Sequence, residues 1–544
     1  MLVLMVVPAA CHGSSPRHPA GRTEPARQWQ HEWLDGAVFY EIFVRSFADS
    51  DGDGIGDLNG LIARLDYLND GDPTTDTDLG VTGIWLMPVF DSPSYHGYDV
   101  VDYRQVEPDY GTRADLERLL DEAGQRGVRV IVDLVINHTS SQHPWFVEAA
   151  ASPASPTRSW YLWSLSDRGW TQPWGGSYGT WHRNPADGMF YYGVFWGGMP
   201  DLNLANPEVE REVVDIAGWW LDRGVAGFRL DAVRYLIETG PGPGQADTAP
   251  THAFWRRFST RIRALEPEAL LVGESWADTA TIASYYGSTE QVKGGDELPL
   301  TFDFPLAEAM IETARLGEAS RLATALTQID RRYPDGARDA PFLTNHDQVR
   351  LATQLGGSVE RLRVSASLLL TMPGVPFLYY GEEVGLANGG TSSDESKRTP
   401  MPWDASSGVG FTTGVPWFEP APGRETANVE AQTDDPGSLL SHYRGLIRAR
   451  SASQALASGR LVLDHDLAAD TPIVWYLRQR DEQRALVVIN LGSRPMTAGP
   501  LPVEGSPAEL LYSDGTSAAP AGAPGSWTLL MPPYSTAIWR FDAP

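Results

Sequence analysis

The chain has 544 residues, 42% of them hydrophobic, and its 70 acidic against 42 basic side chains leave a formal net charge of −28. That length and apolar content exclude a small module or a disordered polymer and leave room for one large core with satellites. So acidic a surface excludes nucleic acid and anionic lipid as partners and suits a neutral substrate and bound cations, while the single cysteine, Cys11, excludes an internal disulfide.

Residues 1–11, M-L-V-L-M-V-V-P-A-A-C, are apolar with small residues before Cys11. This is the pattern that ends a bacterial lipoprotein signal, in which the cysteine is lipidated after cleavage; a plain secretion signal is the alternative. Residues 12–30, rich in Pro, Arg and His, read as a tether. Residues 1–30 are therefore expected to be signal and tether, and the location extracytoplasmic: lipid-anchored at Cys11 to the bacterial cell envelope, or secreted.

From Val38 onward, short apolar runs alternate with amphipathic segments. The runs cover 38–44, 83–90, 128–138, 227–233, 270–276, 300–304, 341–347 and 375–383. Near-continuous apolar runs suit parallel strands buried on both faces. Helical periods lie between them, as at 113–126 (Leu116, Leu119, Leu120, Ala123) and 209–223 (Val213, Ile216, Ala217, Trp220). Eight such units predict an α/β fold, a (β/α)8 barrel with its site at the C-terminal strand ends. About ninety residues separate the third and fourth runs, too many for an ordinary connection, so an irregular inserted domain is expected over 139–203. The barrel then spans 31–138 and 204–452. Alternating runs at 473–478, 485–491 and 536–541, with Gly/Pro turns, predict an antiparallel β-domain over 453–544. A monomer is expected.

After the first run comes D-S-D-G-D-G-I-G-D-L-N-G, residues 49–60. Asp49, Asp51, Asp53, the Ile55 carbonyl and Asp57 fill the first five ligand positions of an EF-hand loop, but Gly60 stands where the bidentate Glu belongs and a strand precedes the loop instead of a helix. Four carboxylates in nine residues repel without a cation; a solvated Gly/Asp turn is the alternative. With the N-terminal cysteine, the loop also admits a rival of another class, a calcium-dependent docking or starch-capturing protein at the cell surface.

Several runs end in polar side chains: Asp133, Asn137 and His138 on the third, Arg229 and Asp231 on the fourth, Glu274 on the fifth, Asn345, His346 and Asp347 on the seventh. A lone Asp there is an ordinary helix cap. Four strands together bring these groups to one mouth, where crowded carboxylates are costly and point to chemistry. Glycoside hydrolysis uses such a set, with one carboxylate as nucleophile and a second, of raised pKa, as acid and then base. Arg229, two residues before Asp231, can keep that Asp ionised; Asp347, His138 and His346 can bind sugar hydroxyls.

These residues resemble the α-amylase family of glycoside hydrolases, family 13. D-L-V-I-N-H (133–138), G-F-R-L-D-A-V-R-Y (227–235), G-E-S-W (273–276) and F-L-T-N-H-D-Q-V-R (342–350) are similar to its four main motifs in order. M-P-D-L-N (199–203), G-I-W-L-M-P-V (83–89) and G-V-P-F-L-Y-Y-G-E-E (374–383) resemble three more. The resemblance implies retaining hydrolysis of α-glucosidic bonds, with Asp231 as nucleophile, Glu274 as general acid/base and Asp347 as transition-state stabiliser. In Y-H-G-Y (95–98), which resembles the endo-acting amylases, Tyr98 is expected to stack on the sugar and His96 to hydrogen-bond it. Arg234 is expected to meet the aglycone sugar.

Exo-acting α-glucosidases and oligo-1,6-glucosidases carry an Asp where Tyr95 stands, paired with an Arg for which Arg398 is the candidate. M-P-D-L-N resembles a group between the oligo-1,6-glucosidases and the neopullulanases that includes secreted bacterial α-amylases. The expectation is an α-1,4-glucan endo-hydrolase acting on starch-like glucans and maltooligosaccharides. The alternative is an exo-acting α-glucosidase, oligo-1,6-glucosidase or neopullulanase-like enzyme on short α-glucosides, with a trehalose synthase third. The α-glucosidase-like branch has a similar loop after the first strand, so Ca2+, or Mg2+, is expected at 49–57 as a structural clip that serves stability and not chemistry.

Overall fold

Period-two alternation along eight short strands decides which side chains reach the centre of the molecule. A computed structural model describes residues 27–463, 467, 472–515 and 519–542; Cys11 and the lipoprotein-like segment lie outside them. The strands are β1 Phe39–Ile42, β2 Gly83–Leu86, β3 Arg129–Leu134, β4 Gly227–Leu230, β5 Leu270–Gly273, β6 Leu300–Phe302, β7 Arg338–Ala340 and β8 Phe377–Tyr379. All neighbours pair in parallel, and β1 also pairs with β8. A parallel bridge, Phe342 to Phe377, closes the remaining edge between the seventh and eighth strands.

Phe39, Trp85, Ile131, Leu270, Val272, Leu300, Phe302 and Phe377 pack together inside the barrel, whereas Tyr40, Ile84, Val130, Phe228 and Leu271 belong to the cluster outside it. Parity therefore puts Glu41, Asp133 and Arg229 inside as well. Asp133 lies directly opposite Arg229 across the β3–β4 register. Asp231 and Glu274 follow immediately after β4 and β5. The interior is thus apolar below and charged at the C-terminal mouth, the layering that carries function in such barrels.

The helices start where the sequence supplies caps. Thr112 and Asp115 form a reciprocal capping box at α1 Arg113–Gln125. Asn206 caps α2 Pro207–Leu221, which has Pro at its first position, and Trp220 of that helix is fully buried. Three strand expectations shift. The 341–347 run is not the seventh strand, which ends at Ala340 before Pro341; a proline cannot donate to the ladder, and the chain beyond Phe342 turns into the site as a loop. The 128–138 and 227–233 runs pair only as far as Leu134 and Leu230, because their polar ends leave the sheet to face the mouth.

The segment after β3 is more regular than its composition predicts. It holds a helix, Pro144–Ala151, and a three-stranded antiparallel sheet of Trp163–Ser164, Phe190–Tyr192 and Trp181–Arg183. Both are too short for periodicity to reveal. Residues 27–30 pack against the barrel: Trp29 is buried and its Nε1 donates to the Gly295 carbonyl.

The C-terminal antiparallel sheets include Ile473–Arg480, Gln483–Asn490 and Thr536–Phe541. The buried Arg478 fastens them to the barrel. Arg478 donates to the carbonyls of Thr371, at the end of α3 Val359–Thr371, and Gly459. Beside it, within the barrel, the buried Arg450 of helix Leu439–Ala452 donates to the carbonyls of Leu370, Met372 and Gly374. Burial depresses both pKa values, that of Arg478 to about 10. Arg478→Ala strands two buried carbonyls and is expected to cost about 2–4 kcal/mol, read as a lower melting midpoint; an unchanged midpoint would show that this seam carries no stability.

Candidate active site

Arg229 sits at the centre of the mouth with its side chain 1% exposed. Its Nη1 donates to both carboxylate oxygens of Asp133, at 2.9 and 3.0 Å, and to Asp231 Oδ1 at 2.7 Å. Its Nη2 lies 3.0 Å from Glu274 Oε2. One guanidinium thus faces three acids on three consecutive strands. A planar fork with donors in fixed directions can do this and an ammonium cannot. Burial pushes Glu274 above the usual carboxylate range, and the charges of Asp231 and Asp347 add to that rise against the pull of Arg229.

The chain turns sharply after Asp231. Ala232 adopts φ 50°, a left-handed conformation costly for a residue with a Cβ, and its N–H donates to Glu274 Oε2 at 3.1 Å. The Glu274 N–H in turn donates to the Leu230 carbonyl. The backbone strain next to Asp231 therefore holds one oxygen of Glu274 while Arg229 holds it from the other side.

Asp347 is set the opposite way. Burial would raise its pKa, but His346, with Nε2 3.2 Å from Oδ2, and Arg398, donating through Nη2 to Oδ1 at 2.9 Å, hold it well below the usual range. Two neighbouring acids are thus driven apart, one toward the protonated form and one toward the anion, as acid and electrostatic roles require.

Of the remaining predicted residues, Tyr98 and His346 stack at 5.5 Å, and the Tyr98 hydroxyl donates to Asp133 at 3.0 Å. His138 is buried against Phe195, bonded to Asn137 Oδ1 and the Tyr98 carbonyl. His96 works on its own loop, accepting the Tyr98 N–H at Nδ1. Arg234 is held by Asp247 at 2.6 and 3.0 Å and donates to the Trp276 carbonyl, so it positions Trp276.

Residues outside the predicted catalytic and sugar-binding set complete the ring. Asp133 is fully buried between Arg229 and Tyr98. Glu41 meets His346 Nδ1 at 2.6 Å; its only sequence signal is an acid at inward parity in an otherwise apolar strand. Arg398, weighed as part of an exo-type clamp, donates to the Tyr95 hydroxyl at 3.1 Å as well as to Asp347. Tyr95 stacks on Trp417. Near the insert, exposed Trp174 stacks on Phe195, and exposed Trp276 stacks on Phe304.

In the acidic loop, ligand oxygens of Asp49, Asp51 and Asp57 all lie within 4.8 Å of one another, a set of hard donors able to hold a metal ion. Asp53 is not in that group; its Oδ1 accepts the Ile55 N–H at 2.8 Å, closing a local turn. Asp57 also caps the helix Leu58–Ala63. The loop is docked on the segment carrying Trp417: Asp49 accepts the Thr412 hydroxyl, and the Trp417 N–H donates to the Gly54 carbonyl. A second acidic pair, Asp201 and Glu238, lies buried near Asn137, and burial pushes both pKa values up, that of Glu238 to about 8.

The family model described as alpha amylase, catalytic domain, matches residues 41–459. The chain is 39% identical over 470 residues to alpha-amylase 3 of Dictyoglomus thermophilum, covering 85% of this chain and 86% of that protein. It is 32% identical over 529 residues to an oligo-1,6-glucosidase of Halalkalibacterium halodurans, covering 85% and 91%. The solved α-amylase from H. orenii superposes with a TM-score of 0.81 at 40% identity, covering 93% of this chain and all of that one.

Removing the central cation leaves three acids facing one another in a buried site. Arg229→Met is expected to destabilise the fold by about 3–5 kcal/mol, seen as a marked fall in melting midpoint. A midpoint equal to that of the parent would contradict the central place given to Arg229.

Proposed function

Because the chain belongs to the α-amylase family of glycoside hydrolases, we propose that it cleaves internal α-1,4-glucosidic bonds of starch-like glucans and maltooligosaccharides, with retention, through a covalent glycosyl-enzyme on Asp231. Asp231, its Oδ1 held by Arg229, attacks the anomeric carbon with its other oxygen. Glu274, its proton retained through burial, delivers that proton to the departing glycosidic oxygen. As an anion it then takes a proton from the water that releases the sugar. Asp347, kept ionised, accepts hydrogen bonds from ring hydroxyls as positive charge develops at the anomeric centre.

The observation that carries the endo reading is Tyr95. Where an exo enzyme needs a carboxylate to clamp a terminal glucose, a phenol stands, stacked on Trp417 and accepting from Arg398. Trp174 and Trp276 add exposed aromatic faces that suit further sugar rings along a chain. An exo-acting α-glucosidase or oligo-1,6-glucosidase on short α-glucosides is the second reading, favoured by Arg398 in K-R-T-P-M-P-W-D and by the likeness to the oligo-1,6-glucosidase.

On soluble starch the protein is expected to lower viscosity quickly and release mixed oligosaccharides, with Asp231→Asn releasing none. Glucose as sole product from the first minutes would overturn the endo reading, and starch binding without reducing-end release by either form would overturn the enzymatic one.

We assign a structural divalent cation, Ca2+ or alternatively Mg2+, to Asp49, Asp51 and Asp57. Chelation is expected to lower the melting midpoint and added Ca2+ to restore it; a midpoint that chelation does not move would remove the assignment.

A further inference from the structure

His346 is a fully buried imidazole with oxygen acceptors at both nitrogens. Nδ1 lies 2.6 Å from Glu41 Oε1, on β1; Nε2 lies 2.6 Å from the Tyr98 hydroxyl and 3.2 Å from Asp347 Oδ2. The Tyr98 hydroxyl has a single proton and two acceptors in reach, Asp133 Oδ2 and His346 Nε2. A neutral imidazole has one N–H and one lone pair. With either neutral tautomer, one of the two carboxylates, Glu41 or Asp347, would face a ring lone pair. The doubly protonated form alone donates to both carboxylates.

We propose that Glu41 is a positioning residue for the reaction: its carboxylate holds His346 as an imidazolium, so that a charged N–H is presented to Asp347 and to the sugar beside it. The acceptor-only end at Glu41 sets the direction of the hydrogen bonds that follow. Glu41 accepts a hydrogen bond from Nδ1–H, Nε2–H points to Tyr98 and Asp347, the Tyr98 hydroxyl is left to donate to Asp133, and Asp133 accepts from Arg229. One acid on the first strand thereby reaches the hydrogen bonding of the nucleophile on the fourth. Charge-assisted bonds of this kind are about twice as strong as neutral ones.

The surroundings of His346 agree. From β1 it meets Glu41, from the loop after β2 Tyr98, from its own loop Asp347, and across the ring Asp133. The Trp85 ring of β2 packs edge-on. The nearest cations are committed elsewhere: Arg398 to Asp347, Tyr95 and the His346 carbonyl, Arg229 to its three acids. Tyr379 of β8 lies near Glu41 and is itself pushed far up by burial, hence neutral. Burial alone would lower the His346 pKa, but Asp347 and Glu41 raise it to about 9.

The inference rests on Asp347 as the stabilising anion, yet it is read on His346 directly, so the two fail separately. The experiment is a titration of the 15N-histidine-labelled enzyme by NMR, with His346→Gln identifying the resonance among the eleven histidines. At pH 7 the parent is expected to show both ring nitrogens protonated, deprotonating near pH 9. Glu41→Gln can still donate to Nδ1 and keep the ring in place, but without the charge. Its His346 should be neutral at pH 7, and kcat/KM on maltooligosaccharide should fall about 10- to 100-fold with the melting midpoint little changed.

A neutral His346 in the parent at pH 7 would overturn the proposal, and this reading does not depend on the variant folding. So would a Glu41→Gln enzyme with full kcat/KM, or one that loses activity while its His346 stays doubly protonated, since Glu41 would then act only through packing.

Discussion

The site depends on one constraint: a single buried guanidinium must satisfy Asp133, Asp231 and Glu274 at once. Three acids around one cation leave a surplus of negative charge in a place with little water. Burial disposes of that surplus by pushing Glu274 and Asp133 toward their neutral forms. Asp347, a fourth acid beside them, is supplied with its own cations, His346 and Arg398. The division between one acid that keeps its proton and one held as an anion therefore follows from where the positive charges are placed. It does not follow from any intrinsic difference between Asp and Glu.

The barrel makes this placement possible. Alternation along strands of three to six residues sends every second side chain inward, and the β3–β4 register sets Asp133 against Arg229. Below that layer the interior is filled by Phe39, Trp85, Ile131 and Phe302, which exclude solvent from beneath the charges. The low local dielectric strengthens each charge–charge contact and raises the penalty for any acid left unpaired.

Much of this was legible in the sequence because two regularities carry it. Apolar runs of the right length marked the strands, and polar residues at their ends marked the mouth; Arg229, Asp231 and Glu274 lie in or just after β4 and β5, whereas Asp347 lies in the loop beyond β7. What was not legible depended on pairing across long separations. Glu41 contacts His346 across 305 positions, and a single acid in an apolar strand looks like an ordinary irregularity until the register is known. The seventh strand was misplaced because Pro341 opens an apolar run that belongs to the loop. Arg234 looked free for a sugar because nothing local announces Asp247. Asp53 lies outside the acidic cluster of Asp49, Asp51 and Asp57, which the one-in-two spacing does not foretell.

The acidic loop is less remote from the chemistry than its position in the chain suggests. It holds the 412–417 segment, Trp417 stacks on Tyr95, Tyr95 accepts from Arg398, and Arg398 grips Asp347. The loop and the side chains around Asp347 are thus parts of one packed unit. The most direct test of the whole account is to accumulate the covalent intermediate with a fluorinated α-glucosyl fluoride and locate the sugar by peptide mass spectrometry. The account predicts one glycosyl group on the peptide containing Asp231, at its carboxylate. Labelling of Glu274 or Asp347 instead, or turnover with no covalent species, would contradict it.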